Sequence, residues 1–167
     1  MKLDVSKALK LPGEEFPFEA SIALPQQEIA GDMVSFDEVS LAGVYSAVGD
    51  SVVLEGTMRT AWHAPCCRCM KPASAPMELP FRERFQKNAD EDEGEAFRFE
   101  GNQVPLDQMA LTVVLLALPM RFLCGDSCEG SEELRTWQLE HSAPSEARQA
   151  EHPFEALRNL LTKDEEV

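Results

Sequence analysis

Residues 39–62 read VSLAGVYSAVGDSVVLEGTMRTAW, and this stretch decides the fold. Gly49-Asp50 near its middle is a two-residue turn with glycine first, a type that joins the strands of a β-hairpin. With that turn at the tip, Gly43 lies opposite Gly56, and the apolar residues of both strands share one face. That face comprises Val39, Leu41, Gly43, Tyr45 and Ala47 from one strand and Val52, Leu54, Gly56, Met58 and Thr60 from the other. Because pattern and turn agree on the register, the sequence predicts a hairpin over this stretch.

Further strands and one helix are expected after the hairpin. Apolar residues alternate with polar residues and prolines from Met77 to Phe85, which predicts another strand. Phe97 and Phe99 indicate a short strand closed by Gly101-Asn102. Apolar residues then follow helical spacing over 106–118, which predicts a buried helix ended by Pro119. A β-strand over 112–118 is the competing interpretation of its second half.

The two ends of the chain carry weaker patterns. Residues 1–33 are rich in proline and polar residues and predict an extended arm, with one short strand at the alternating stretch 16–20. Residues 129–151 predict a flexible acidic linker around one loose helix, and residues 152–167 a C-terminal helix that starts at Pro153. The sequence thus predicts an α+β domain over 1–128, built on an antiparallel β-sheet or partial barrel, with a buried helix, and followed by the linker and the C-terminal helix.

Composition restricts the class of protein. The chain has 167 residues, 44% of them hydrophobic, which is enough to bury a core. Nothing near Met1 resembles a signal peptide, and the longest apolar stretch, 113–120, is too short to cross a bilayer. We therefore expect a cytoplasmic protein without a membrane partner.

The charge is strongly acidic but uneven. A formal net charge of −15 argues against a general nucleic-acid binder, which needs local positive charge. From Arg59 to Arg121 there are eight basic residues and nine acids, and five of those acids lie in 90–95; without them the segment is +4, eight bases against four acids. Direct RNA contact would use Arg68, Lys71, Arg82, Arg84 and Arg121. A mixed solvated surface is the alternative interpretation.

Two cysteine pairs are the most specific chemical feature. Cys66 and Cys69 form a C-x2-C pair, and Cys124 and Cys128 form a C-x3-C pair. Two such turns can enclose one tetrahedral zinc ion in a closed, structural site. Cysteines that act as small buried apolar residues and a redox dithiol at Cys66 and Cys69 are the alternatives. Cys67 is expected to be spare, and His63 could replace one cysteine as a ligand.

Motifs of enzymes are missing from the sequence. It contains no G-x-G-x-x-G, P-loop, H-x-x-x-H or G-x-S-x-G pattern. The acidic runs are typical of solvated charge. We therefore expect a protein that is not an enzyme and has no small-molecule substrate.

The chain resembles the YceD family of large ribosomal RNA subunit accumulation proteins. Four features match in order: 48–50 before a strand, the Cys66-x-Arg68-Cys69 motif, 115–119 leading to a cysteine pair, and the tail 153–157. In that resemblance Cys66 and Cys69 match the first pair, and Cys124 and Cys128 match the later cysteine region. The chain departs from the pattern at 112–114, where relatives tend to carry an acid, and after Cys128, where many have further cysteines.

The resemblance implies a bacterial cytoplasmic factor in accumulation or processing of large-subunit ribosomal RNA, and so in ribosome biogenesis. Our first hypothesis is a zinc-stapled adaptor that binds a ribosomal protein or the large-subunit rRNA precursor. Because the chain is acidic, a basic ribosomal protein is the easier partner. The alternatives are a thiol redox protein that uses Cys66 and Cys69, and a metal-free interaction module whose C-terminal helix carries the contact.

Overall fold

The computed structural model describes residues 1–87, 89 and 96–141. The described strands are β1 (Lys2–Asp4), β2 (Phe16–Ile22), β3 (Gln27–Ile29), β4 (Asp32–Phe36), β5 (Val39–Val48), β6 (Ser51–Pro65), β7 (Pro72–Gln86), β8 (Phe97–Arg98) and β9 (Gln103–Pro105). The described helices are α1 (Ser6–Lys10), α2 (Leu106–Leu116) and α3 (Glu132–His141).

The predicted hairpin is confirmed in its predicted register. β5 and β6 pair antiparallel, with Val48 opposite Ser51 and Gly43 opposite Gly56. Gly49 has a φ of 60°, the left-handed conformation that the first position of such a turn requires. The inward face of the two strands is buried along its length, except for the two glycines.

β6 is the central strand of an open, mostly antiparallel sheet. β5 pairs with its first part, and β4 pairs with Trp62 and His63 farther along the same edge. β7 covers the whole opposite edge, from Ser51 to Pro65. β2 adds to β5 and β3 adds to β4, whereas β8 joins the end of β7 as a parallel strand. The α+β class and the antiparallel sheet are confirmed, and the sheet is open rather than a barrel.

The main core lies on one face of this sheet, under α1, α2 and the β1–β9 ribbon. It contains Leu54, Met58 and Phe85 from the sheet, with Leu106 and Met109 from α2, all fully buried. α2 confirms the predicted buried helix and excludes a strand over 112–118. Ala117 closes it through a hydrogen bond from its backbone N–H to the Val113 carbonyl, just before Pro119.

The N-terminal region is more than the predicted arm. β2 pairs with β5 along seven positions, from Phe16 opposite Tyr45 to Ile22 opposite Val39. Val5 and Ala8 of the α1 region are fully buried in the main core. The strand expected near Phe16 therefore exists as part of the main sheet, because the alternation of Phe16, Phe18, Ala20 and Ile22 matches a half-buried strand.

β7 begins five residues earlier than the sequence predicted, at Pro72 rather than Met77. Pro72, Pro76 and Pro80 obscure the pattern, since proline cannot donate to a sheet ladder. All three lie at even-numbered positions of the strand. Their missing N–H groups therefore share one side of β7, and a strand that is paired through its other side tolerates them.

Residues 1–131 form one compact unit, and a second unit begins at Glu132. Of the second unit the structure describes α3, which corresponds to the helix expected within the acidic linker. The predicted C-terminal helix at 152–167 and the acidic run at 90–95 lie outside the described residues. None of the described helices has the length and apolar character needed to span a membrane.

Gly43 and Gly56 let the backbones of β5 and β6 approach closely. A Cβ atom on Gly56 would lie 2.3 Å from the Ala42 carbonyl oxygen, and one on Gly43 would lie 2.1 Å from the Glu55 carbonyl oxygen. Both neighbours are backbone atoms, so relief of the clash requires the strands to separate. The pairing that sets the register of β6 therefore depends on the absence of these two side chains.

We predict that Gly56→Ala lowers the free energy of unfolding by about 3 kcal/mol, the upper range for overpacking. Urea unfolding measures this change. Gly125→Ala is the matched control: its added Cβ meets no atom within 4 Å, and we expect a change within about 0.5 kcal/mol. Equal stability of the two variants would show that the strands accept a methyl group here.

Candidate metal centre

Cys66 and Cys69 lie at the tip of the β6–β7 hairpin. Pro65 and Pro72 are its last paired residues. Beyond them, the Cys66 N–H donates to the Lys71 carbonyl at 2.8 Å, and the Met70 N–H donates to the Cys66 carbonyl at 2.9 Å. These bonds close a tight turn that directs both thiols to the same place.

Cys124 and Cys128 lie on the loop that follows α2. The Cys128 N–H donates to the Gly125 carbonyl at 3.2 Å, which closes the second turn. The loop reaches the hairpin tip through Phe122, whose carbonyl accepts a hydrogen bond from the Cys67 N–H at 2.9 Å. The ring of Phe122 packs on Trp62, with ring centroids 4.9 Å apart.

The four sulfurs of the two pairs converge. All lie within 4.8 Å of one another. The Cys66 and Cys128 sulfurs are 3.8 Å apart, and the Cys69 and Cys124 sulfurs are 3.6 Å apart. Sulfurs bound at about 2.3 Å to one tetrahedral zinc ion would stand about 3.8 Å from each other. The spacing therefore suits a single tetrahedral ion, and each of these cysteines is a free thiol.

A second, smaller core supports the cluster. It comprises the buried residues Val34, Trp62, Ala64, Cys66, Ala73 and Phe122. Cys66 has an exposed fraction of 0%, Cys69 and Cys128 are half-buried, and Cys124 is exposed. The cluster is thus sealed on the sheet side and reaches solvent on the side of the loop.

Hydrogen bonds shift the pKa values of two of these thiols in opposite directions. The backbone N–H of Arg68 donates to the Cys66 sulfur and is the main cause that lowers the pKa of Cys66 to about 6. Hydrogen bonds with the neighbouring sulfurs, first that of Cys128, raise the pKa of Cys124 to about 12. The cluster thus favours one thiolate and resists further negative charge, which a bound divalent cation would neutralise.

Neither the remaining cysteine nor His63 belongs to the cluster. Cys67, expected to be spare, is exposed and lies outside it. His63 is also outside it, because its Nε2 lies 2.9 Å from Asp37 Oδ1 on the outer face of the sheet. The packing of Trp62 on Phe122 was not predicted from the sequence. Trp62 lies at an even-numbered position of β6, like the inward-facing residues of the hairpin, and this pattern is the signal that could have predicted its burial.

The structure divides the five basic residues considered for RNA contact into two places. Arg68, Lys71 and Arg121 are exposed beside the cysteines, and Arg68 Nη1 donates to the Cys128 carbonyl at 3.2 Å. Arg82 and Arg84 lie on the outer face of β7, where Arg82 is 3.5 Å from Glu55. Arg82 lies ten positions beyond Pro72, the first residue of β7 after the cysteine turn, which corresponds to about 33 Å along the strand. The five therefore do not form one patch.

Comparison with known proteins places the chain in a family. The family model described as "Large ribosomal RNA subunit accumulation protein YceD" matches residues 54–161, well over half of the chain. The uncharacterized proteins Rv2926c of Mycobacterium tuberculosis and Mb2951c of Mycobacterium bovis are each 24% identical over 138 residues. That alignment covers 78% of this chain and 66% of each relative, slightly less than two thirds of their length.

No solved structure matches the chain. The matched region begins within β6 and includes both cysteine pairs. The resemblance inferred from the cysteine motifs and the leucine run is confirmed. The chain belongs to the YceD family, whose description links it to the accumulation of large-subunit ribosomal RNA.

Proposed function

We propose that this protein is a non-enzymatic adaptor in the accumulation of large-subunit ribosomal RNA, and that its four clustered cysteines hold one structural zinc ion. The observation that carries the proposal is the convergence of four sulfurs within 4.8 Å of one another, with the Cys66–Cys128 pair at 3.8 Å and the Cys69–Cys124 pair at 3.6 Å. Four thiolates are soft ligands that suit zinc. With four protein ligands the site has no open position for water or substrate, which indicates a structural role.

The energetics of the loop support a bound ion. Residues 117–131 contain no helix or strand, and fixing fifteen backbones costs about 15 kcal/mol even at the low end. Phe122 is the buried side chain that the loop contributes to the second core, Leu118, Leu123 and Cys128 are only partly buried, and three hydrogen bonds join the loop to the hairpin tip. These contacts are few against that cost, and a structural zinc ion, which contributes about 10–16 kcal/mol, would help to offset it.

The charge of the chain supports an adaptor role in ribosome assembly. Ribosomal proteins are basic, and a protein with a net charge of −15 attracts cationic segments. We propose a ribosomal protein or the large-subunit rRNA precursor as the partner, within the cytoplasm. The rigid sheet would present such a partner with a fixed surface, since the zinc centre ties the loop after α2 to the hairpin tip.

A thiol redox protein is the second candidate function. The low pKa of Cys66, about 6, favours it, because the thiolate is the reactive form. The burial of Cys66 opposes it: with an exposed fraction of 0%, the sulfur is out of reach of a protein substrate.

We expect purified protein to contain about one zinc ion per chain. The Cys66→Ser/Cys69→Ser variant should lose the ion, and a protease should then cleave within 117–131. Elemental analysis by mass spectrometry and limited proteolysis measure the two effects. Cys67→Ser is the matched control, because Cys67 lies in the same turn but outside the cluster. This variant should keep both the metal and the resistance of residues 117–131 to the protease. Well-folded wild-type protein without metal would refute the zinc centre.

Alkylation separates the two candidate functions. With metal bound, iodoacetamide near pH 6 should label Cys67 first and leave the four clustered cysteines unmodified. A chelator should expose those four to the reagent. Peptide mapping by mass spectrometry identifies the labelled positions. Rapid labelling of Cys66 before chelation would instead support the redox function.

The cellular role is tested by complementation. In cells that lack the protein, we expect the wild type and Cys67→Ser to restore large-subunit rRNA, and Cys66→Ser/Cys69→Ser to restore less than half of it. Quantification of large- against small-subunit rRNA is the measurement. Full rescue by the double variant would mean that the cysteine centre is dispensable for the adaptor.

A further inference from the structure

The hairpin tip and the loop after α2, which carry the two cysteine pairs, both expose large apolar side chains to solvent. We call residues 66–71 and 116–131 together the cysteine lobe. Within it, Met120 is 100% exposed, Leu116 is 83% exposed and Met70 is 66% exposed. Methionine side chains are flexible and polarizable, and they recur at surfaces that adapt to varied partners. Side chains this exposed contribute little to the core and are available for contact with a partner.

The same lobe concentrates basic side chains. It carries Arg68, Lys71 and Arg121, against Asp126 and Glu129, in a chain whose net charge is −15. A zinc ion held by four thiolates would add a formal charge of −2, so attraction for an anion would come from the three basic side chains themselves and not from the net charge of the lobe. Within the part of the chain that the structure describes, none of the three bases forms an ion pair. Their charge therefore remains available to an anionic partner.

Two bases on the outer face of the sheet, in contrast, have acidic partners. Arg59 pairs with Glu78 at 2.8 Å, and Arg82 lies 3.5 Å from Glu55. Each therefore has an acid beside it that competes with a phosphate for the same guanidinium. The outer face of the sheet is thus the weaker place for a polyanion, although Arg84 also lies there.

We propose that the cysteine lobe is a contact surface for single-stranded RNA, assembled by the bound metal. Arg68, Lys71 and Arg121 bind backbone phosphates, and Met70 and Met120 pack against unstacked bases. The claim that a metal assembles this surface rests on the proposed function. The claim that the three bases bind phosphates rests on the residues of the lobe alone. RNA is favoured over an acidic peptide because the family description refers to ribosomal RNA.

The metal assembles this surface because the bases come from two separate arms. Arg68 and Lys71 lie on the hairpin tip, and Arg121 lies on the loop after α2. Besides the sulfurs, the arms are joined by three hydrogen bonds: Cys67 N–H to the Phe122 carbonyl, Arg68 Nη1 to the Cys128 carbonyl, and the Ser131 N–H to the Arg68 carbonyl. Without the ion the loop separates from the tip, and the three charges no longer act on one strand of RNA.

The test is fluorescence anisotropy of full-length, zinc-loaded protein with a labelled single-stranded oligouridylate over a salt series. Three phosphate contacts predict that the logarithm of the affinity falls with the logarithm of the salt concentration with a slope of about −2, at about 0.7 per contact. The Arg68→Ala/Lys71→Ala/Arg121→Ala variant should bind about a hundredfold more weakly at 0.1 M salt and should lose the slope. Arg82→Ala/Arg84→Ala is the matched control and should bind within about twofold of the wild type.

Chelated protein and Cys66→Ser/Cys69→Ser should lose binding to the same extent as the triple variant. The proposal is overturned if the wild type does not bind or if the triple variant or chelated protein binds as well as the wild type. It is also overturned if only the sheet variant loses binding, or if labelled oligoglutamate of the same charge binds as tightly as the oligouridylate. A triple variant that keeps zinc and restores rRNA in cells would sink this inference and leave the proposed function intact. Wild-type protein without zinc, or unable to restore rRNA, would sink the proposed function itself.

Discussion

The register of β6 is the constraint on which the rest of the structure depends. Alternate side chains of a strand face opposite sides of the sheet, and the even-numbered residues of β6 face inward. Val52, Leu54 and Met58 thereby enter the main core, Trp62 and Ala64 enter the second core, and Cys66 emerges fully buried just past the end of the strand. A slip by one residue would reverse every side chain and place the cysteine motif against the wrong face. The turn at Gly49 and the close approach of Gly43 to Gly56 prevent that slip.

The sheet and the cysteine lobe are stabilised by different contacts. The main core draws on α1, α2 and four sheet strands (β2, β5, β6 and β7), whereas the loop after α2 adds one buried aromatic side chain, Phe122, to the second core. A metal ion is a compact way to order such a loop, because four ligand bonds replace a hydrophobic contact area that fifteen residues cannot supply. With zinc bound as proposed, we expect the lobe to respond to metal while the sheet keeps its fold.

Much of this could be predicted from local sequence, and the remainder depends on contacts between distant residues. The hairpin register followed from one turn and one alternating pattern, and α2 followed from its helical period. The two cysteine pairs pointed to one cluster because their spacings suit a tetrahedral ion, although 54 residues separate Cys69 from Cys124. The start of β7 was missed because its prolines are typical of a loop. One short strand was expected in the N-terminal arm, but its place in the main sheet depends on pairing with β5, a contact between residues distant in the sequence. The five bases were grouped by proximity in the sequence, whereas the length of β7 separates them.

The proposed RNA contact is physically compatible with an acidic protein whose cysteine lobe carries three bases without an ion pair among the described residues. RNA affinity grows with each phosphate contact, so a uniformly basic chain would bind any RNA tightly. In the proposed mode of binding, a net charge of −15 would repel most of the RNA backbone and leave contact to a small surface, where a few cations and flexible apolar side chains would hold it weakly. The proposed closed metal site fits the same logic, because it would fix the positions of those cations without adding an open coordination position beside the RNA.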